Sequence, residues 1–410
     1  MTYQFDARAE ARLETYVSEM GGSLGDIRRQ ASFAAYVGGL MGTTDRKSME
    51  PMAAVASGDE KRCSGAHQRI QHFISDSEWD DQAIRLAAAR HAITAMERHE
   101  PISTWIVDDT GFLKQGKHSV GVQRQYTGSA GKTANCQIGV SLSVATSRAH
   151  VPIDFELFLP VDWADDAERR AKAKVPEDVT FRSKEDLALE MIERAARAKI
   201  PGNTVLADSW YGRSSTFRDT VQLLGFDFAL GIPKSQTMWR LNARDEVAEQ
   251  GRHSAESVAQ KLAPRRFREV TWRQGVSRGP RGAMRSRFAF VRVAVPSDAD
   301  PSDIAKLWLL IEWPEGEKEP TRYALTTLPR RMPKKEIIRL LKERYRTEQV
   351  YEEMKGNLGL DHFEGRSFRG WHHHVTVALV CYAFIKSELI HAFPPSAVRT
   401  RRAHPLGAAA

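Results

Sequence analysis

Two short apolar runs that each lead into acidic residues, with an amphipathic helix pattern between them, constrain this chain most. Thr104-Trp-Ile-Val leads into Asp108-Asp109-Thr110, and Val205-Leu-Ala leads into Asp208. Short apolar runs bounded by turn residues read as buried strands. Between them, Ser183 to Lys199 has helical spacing, with Ser183 as N-cap, Glu185-Asp186 in the first turn and Ile200-Pro-Gly as the stop. After Asp208, Ser209-Trp-Tyr-Gly turns the chain into a second helix, Ser215 to Leu224, and Phe226 to Ile232 is another strand. Parallel neighbours need a crossover, usually a helix, so this alternation predicts a partly parallel sheet. In such a sheet the carboxylates at adjacent strand ends come together.

The flanking segments read differently. Residues 1–100 predict a helical N-terminal domain, with Ala7 to Met20, Ile27 to Leu40 and Asp81 to Glu97 as helices. It is a candidate grip on DNA ends, without a basic recognition helix. The loop after Asp109 holds Gly111, Gly116, Gly121, Gly128 and Gly131 with Lys114, Lys117, Arg124 and Lys132. It lacks the Gly-Lys-Ser/Thr of a P-loop. Cys136 to Thr146 and Val151 to Leu159 read as a hairpin turning at Ser147–His150, and residues 162–182 as a surface connection. Residues 101–232 thus form the first part of an α/β core. Residues 233–328 predict a β-rich insertion with strands at Val270–Trp272, Arg287–Val295, Leu307–Trp313 and Arg322–Thr327, and turns at Gly279-Pro280 and Glu315-Gly316. Residues 329–392 return to core helices, among them Trp371 to His391, and 393–410 read as a disordered tail.

The chain of 410 residues has a formal charge of +8, and the location of that excess is informative. Residues 1–100 hold 12 Lys and Arg against 15 Asp and Glu, whereas Lys261 to Arg292 holds ten basic residues and one acid, Glu269. The cations Arg265, Arg266, Arg268 and Arg273 alternate there with Phe267, Trp272, Phe288 and Phe290. That pattern suits backbone phosphates and unstacked bases, and also an ordinary sheet with one basic face. Three scattered cysteines, Cys63, Cys136 and Cys381, predict neither a disulfide framework nor a zinc site. The N-terminus lacks a signal pattern, and the apolar run Val375 to Ile385 is too short for a bilayer. The reading is a soluble intracellular protein.

Leu341 to Lys355 reads as one helix, with Pro333 opening it upstream and Gly356 beyond it. Arg344, Glu348, Tyr351 or Glu352, and Lys355 recur at three- and four-residue spacing and share a face. Alone this is a solvated face with ordinary ion pairs. With Asp108 or Asp109 and Asp208 upstream, Glu348 becomes the third member of a carboxylate trio. Such a trio suits two Mg²⁺ or Mn²⁺ ions, which favour hard oxygen ligands. His372-His373-His374 does not, because successive helical residues point in different directions.

Ile106-Val-Asp-Asp-Thr-Gly-Phe with GKHSVGVQRQY, Val205-Leu-Ala-Asp-Ser-Trp-Tyr-Gly, and Tyr345-Arg-Thr-Glu-Gln-Val-Tyr-Glu-Glu-Met-Lys occur in that order. This set resembles the DDE-type insertion-sequence transposases of bacteria, over about Ser32 to Ile385. The last motif is similar to the family's Arg-x3-Glu-x6-Lys signature, falling on Arg344, Glu348 and Lys355. The signature's Tyr three residues earlier is Leu341 here, so its role is absent or passes to Tyr345. The resemblance implies a ribonuclease H-like mixed sheet flanked by helices and interrupted by the β-rich insertion. It implies that Asp108 or Asp109, Asp208 and Glu348 are catalytic metal ligands for two ions. It further implies that Arg344 and Lys355 contact phosphates, and that Trp210, Trp239 or Trp272 stacks on a displaced base. The implied activity is metal-dependent cleavage at inverted repeats and strand transfer into target DNA, by a DNA-bound homodimer in the bacterial cytoplasm, associated with the nucleoid. The alternatives are a silent DNA-binding regulator or a plain nuclease on the same scaffold.

Overall fold

In a computed structural model of the chain, residues 7–57, 63–273, 284–297 and 304–392 are described. The Gly279-Pro280 turn, the side chain of Arg273 and the tail from residue 393 lie outside the described residues.

Five helices come first: α1 (Ala7–Gly21), α2 (Ile27–Met41), α3 (Met49–Ser57), α4 (Cys63–Ser75) and α5 (Asp81–Glu97). Asp26 caps α2 and Asp80 caps α5. Then come β1 (Thr104–Leu113), β2 (Gln123–Thr127), β3 (Lys132–Ala145) and β4 (His150–Phe158). Short helices α6 (Val161–Ala164) and α7 (Ala167–Lys172) fill the connection expected to be irregular. Next are α8 (Lys184–Arg197), β5 (Thr204–Ala207), α9 (Ser209–Gly212), α10 (Ser215–Leu223) and β6 (Asp227–Ile232). Ser183 and Asp186 close a reciprocal capping box on α8, as its sequence predicts.

These elements build a ribonuclease H-like mixed sheet. β3 lies antiparallel to β1, while β5 pairs parallel with both β1 and β6. β2 and β4 follow each other along the outer edge of β3.

The insertion extends the same sheet. It comprises β7 (Thr237–Arg240), β8 (His253–Ser254), α11 (Ala255–Gln260), β9 (Arg268–Arg273), β10 (Met284–Pro296), β11 (Ile304–Pro314) and β12 (Arg322–Thr326). β12 pairs antiparallel with β6, and the order continues through β11, β10 and β7 to β8. β7, β8 and α11 carry no clear signal in the sequence.

Three helices close the fold: α12 (Lys334–Glu343), α13 (Arg346–Leu358) and α14 (Phe368–Ala392). Ile337, Ile338 and Leu340 of α12 press on Ile106, Leu206, Phe290 and Leu310 of the sheet. Each such burial contributes about 1.5–3 kcal/mol. α14 is long and apolar enough to cross a membrane by length and composition, yet 72% of its most apolar window is buried inside the fold. The N-terminal helices wrap it. Tyr16 donates to the Val380 carbonyl at 3.0 Å, Arg12 pairs with Glu388, and Tyr36 meets His374 Nδ1 at 2.8 Å.

The histidine run is absorbed into this packing. His372 faces Glu156 at 3.3 Å, His373 stacks on Trp79 at 3.7 Å, and His374 turns to the Gly359 carbonyl. Three consecutive helical positions serve three different neighbours, as their divergence requires.

Candidate active site

β1 does not stop at its aspartates. It runs on to Leu113, so Asp108 and Asp109 lie within the strand rather than at its end. What stops there is the parallel partner: β5 pairs with β1 only as far as Ile106↔Leu206. Asp108 and Asp208 each stand two residues beyond that pair, Asp108 still within β1 and Asp208 the first residue past β5, where its backbone stays extended. Equal offset and side-chain alternation aim both carboxylates to one face of the sheet.

Asp109, one residue on, faces the opposite side. Its Oδ2 accepts from Lys184 Nζ, at the start of α8, at 3.0 Å. Asp108 is 9% exposed and accepts from Arg344 Nη1 at 2.7 Å. Burial pushes its carboxyl up to about 7; Arg344 opposes this, and Asp208 and Asp109 add to it. Beneath it, Tyr351 and Ser141 share a hydroxyl–hydroxyl hydrogen bond of 2.6 Å.

Asp208 sits at the N-cap of α9, its Oδ1 accepting from the Trp210 N–H at 2.9 Å. The turn that holds it needs glycine. A Cβ on Gly212 would meet the Gly231 carbonyl oxygen of β6 at 1.9 Å.

The predicted helix over 341–355 is two helices. Arg344 and Tyr345 keep helical dihedrals, but the hydrogen bonds tighten there: the Tyr345 N–H donates to Lys342 and the Thr347 N–H to Arg344. This i→i+3 pattern turns the axis. Arg344 therefore ends one helix while Glu348 lies in the first turn of the next. Glu348 is exposed and, with Asp208, lines a cleft of about 480 Å³ between sheet, insertion and helices. Arg344 is held charged among Asp108, Asp208 and Glu348.

Lys355 donates to Thr110 Oγ1 at 2.8 Å, the Gly111 carbonyl at 2.7 Å and Ser129 Oγ at 3.0 Å. Trp272 and Tyr345 meet edge to face at 6.0 Å on the cleft wall. Trp210, 43% exposed, lies instead under Arg213 at 3.7 Å and near Lys184 at 5.3 Å. Trp239 stands apart on β7, near Arg252. Arg265, Arg266 and Arg268 are exposed at the entry to β9, and none of the three lines the cleft.

Sequence reasoning missed three partners. Lys184 holds Asp109. Glu312 of β11 accepts two 2.6 Å bonds from Lys342 Nζ within the cleft wall. Ser129 joins Lys355 to the tip of the β2–β3 hairpin. Each pair is far apart in sequence, and no local spacing links its members.

The family implies divalent ions. The donor type fits, since Asp108, Asp208 and Glu348 offer hard carboxylate oxygens. The burial and mutual repulsion of Asp108 are what a cation would relieve. Among the described residues, however, no three His, Cys, Asp or Glu side chains are gathered closely enough to hold an ion, and Arg344 stands among the acids.

Comparison with known proteins gives two matches. A family model described as DDE superfamily endonuclease matches residues 19–279. That span includes Asp108, Asp109 and Asp208 and stops before Arg344, Glu348 and Lys355. A "Probable transposase for insertion sequence element IS701" from Microchaete diplosiphon is 26% identical over 208 residues, which is 50% of each chain. The chain thus spans about half the length of that curated relative.

Proposed function

This chain belongs to the DDE superfamily endonucleases, and on that premise we propose that it is a transposase of insertion-sequence type. It cuts phosphodiester bonds at the inverted repeats of its element and joins the freed 3′ end to target DNA. The observation that carries this reading is the equal register of Asp108 and Asp208 beyond the Ile106↔Leu206 pair, with Arg344 between them and Glu348.

Asp108, Asp208 and Glu348 would hold two Mg²⁺ or Mn²⁺ ions, which supply Lewis acidity to the attacking and leaving oxygens. Asp108 shares its offset beyond the Ile106↔Leu206 pair with Asp208 and Asp109 does not, so Asp108 is the ligand of the adjacent pair. Arg344 shields the acids from one another when DNA is absent, and its guanidinium fork contacts a phosphate when DNA is bound. Lys355 reaches a phosphate by releasing Ser129. Trp272 and Tyr345 line the wall along which the strand lies. The basic entry to β9, with Arg265, Arg266 and Arg268, adds backbone contacts. The protein works in the bacterial cytoplasm as a DNA-bound homodimer.

The test uses labelled duplexes from the boundaries of the element that encodes the chain. Wild type is expected to give cleaved and then joined product in Mg²⁺, and neither with Asp208→Asn or Glu348→Gln. Cleavage without joining would reduce the reading to a nuclease. Binding without cleavage would reduce it to a regulator.

A further inference from the structure

The end of α12 remote from the cleft carries a second concentration of positive charge. It surrounds Trp308 of β11. Arg292 of β10 approaches the indole at 5.1 Å, Lys334 at 5.4 Å and Arg330 at 5.9 Å. Lys306 lies two residues before Trp308, on the same face of the strand by alternation. Among the described residues one carboxylate forms salt bridges with these four cations. Asp245 pairs with Arg292 and with Arg330, each at 3.0 Å. Among the described residues no carboxylate forms a salt bridge with Lys306 or Lys334. Among the described residues the local surplus is therefore three positive charges, on a sheet and helix start held by the α12 core. Arg331 and Lys335 are exposed beside it.

Such a surplus repels itself, and a polyanion stabilises it by releasing its own counterions. The cations lie against Trp308, so the indole is not free to stack on a base. The patch can read charge and not sequence. Its distance from the acids is fixed by the helix: Lys334 to Arg344 is ten residues, or about 15 Å. Along a duplex, at about 3.4 Å per base pair, that is four to five base pairs.

We propose that Lys306, Arg330 and Lys334, backed by Arg292, whose fork is engaged by Asp245, form a sequence-independent binding surface for duplex DNA. They hold backbone phosphates four to five base pairs from the bond placed in the acidic cleft. The distance, though not the binding itself, rests on the function proposed above.

The test is fluorescence anisotropy with two long duplexes of unrelated sequence, titrated across a potassium chloride series. Full-length wild type is compared with a Lys306→Gln, Arg330→Gln, Lys334→Gln variant. The slope of log affinity against log salt should fall by about three, one per lost phosphate contact. It should fall equally on both duplexes. A Lys306→Arg, Arg330→Lys, Lys334→Arg variant should restore it, which separates charge from folding. An unchanged slope in the glutamine variant, with duplex binding intact, overturns this inference and leaves the cleft reading standing. Failure of wild type to bind either duplex also overturns this inference, and cleavage of the element's own ends then decides the proposed function separately.

Discussion

Asp108 and Asp109 are neighbours with different partners, because a strand sends successive side chains to opposite faces. Asp108 meets Arg344, which lines the cleft, and Asp109 meets Lys184. Two substitutions should therefore separate cleanly. Asp108→Asn should lower cleavage by on the order of a hundredfold or more while the fold persists, because it removes a buried, raised carboxyl. Asp109→Asn should retain cleavage but strand the mostly buried Lys184 ammonium, at a cost of about 1–3 kcal/mol. Turnover and urea midpoints on both proteins check this, and the reverse assignment would show the losses exchanged. The alternation was legible in the sequence, but the choice between the two was not. It depends on Lys184, which lies 75 residues away.

At the scale of elements, the junction between α12 and α13 decides where Arg344 and Glu348 stand. Helix propensity over Leu341–Lys355 predicts one rod, and nothing local forbids it. The tightened turn at Arg344–Tyr345 serves tertiary partners: Asp108 on one side and the Trp272 wall on the other. The insertion is tied to this junction by Lys342 and Glu312, whose side chains are 11% and 3% exposed. Removing one member of a buried pair leaves the other uncompensated. Glu312→Ala should cost about 3 kcal/mol by urea denaturation, and adding Lys342→Met should recover most of it. Equal losses in single and double variants would mean that the pair contributes packing rather than charge. The turn after Asp208 gives a second test. Gly212→Ala puts a methyl group into the Gly231 carbonyl, so α9 must move. Cleavage should fall further than the about 1–3 kcal/mol of overpacking destabilisation accounts for.

Over the whole molecule, α14 is the axis that joins the N-terminal helices to the sheet. Its apolar run and its three histidines were visible in the sequence. That each histidine serves a different neighbour was not, since those neighbours come from β4, the loop between α4 and α5, and the loop after α13. Burial drives His373 and His374 down to about 4 and His150 down to about 3. The unfolded chain takes up these protons near pH 6.5, and the folded chain does not. Stability present above about pH 6.5 should therefore be lost as pH falls toward 4. Each histidine contributes a slope of about 1.4 kcal/mol per pH unit. Thermal melts of wild type and His374→Gln between pH 7 and 4.5 check this, and the variant should show the shallower decline. The strand and helix alternation of the core was legible because each element carries its own period and caps. The union of insertion and core in one sheet was not, because the β6–β12 pairing bridges about a hundred residues.

The proposed chemistry needs three carboxylates to share ions, and calorimetric titration of the protein with Mn²⁺ reads that sharing. Wild type should bind about two ions per chain. Asp108→Asn, Asp208→Asn and Glu348→Gln should each lose binding, and Asp109→Asn should keep it. Identical titrations for all five proteins would contradict the account.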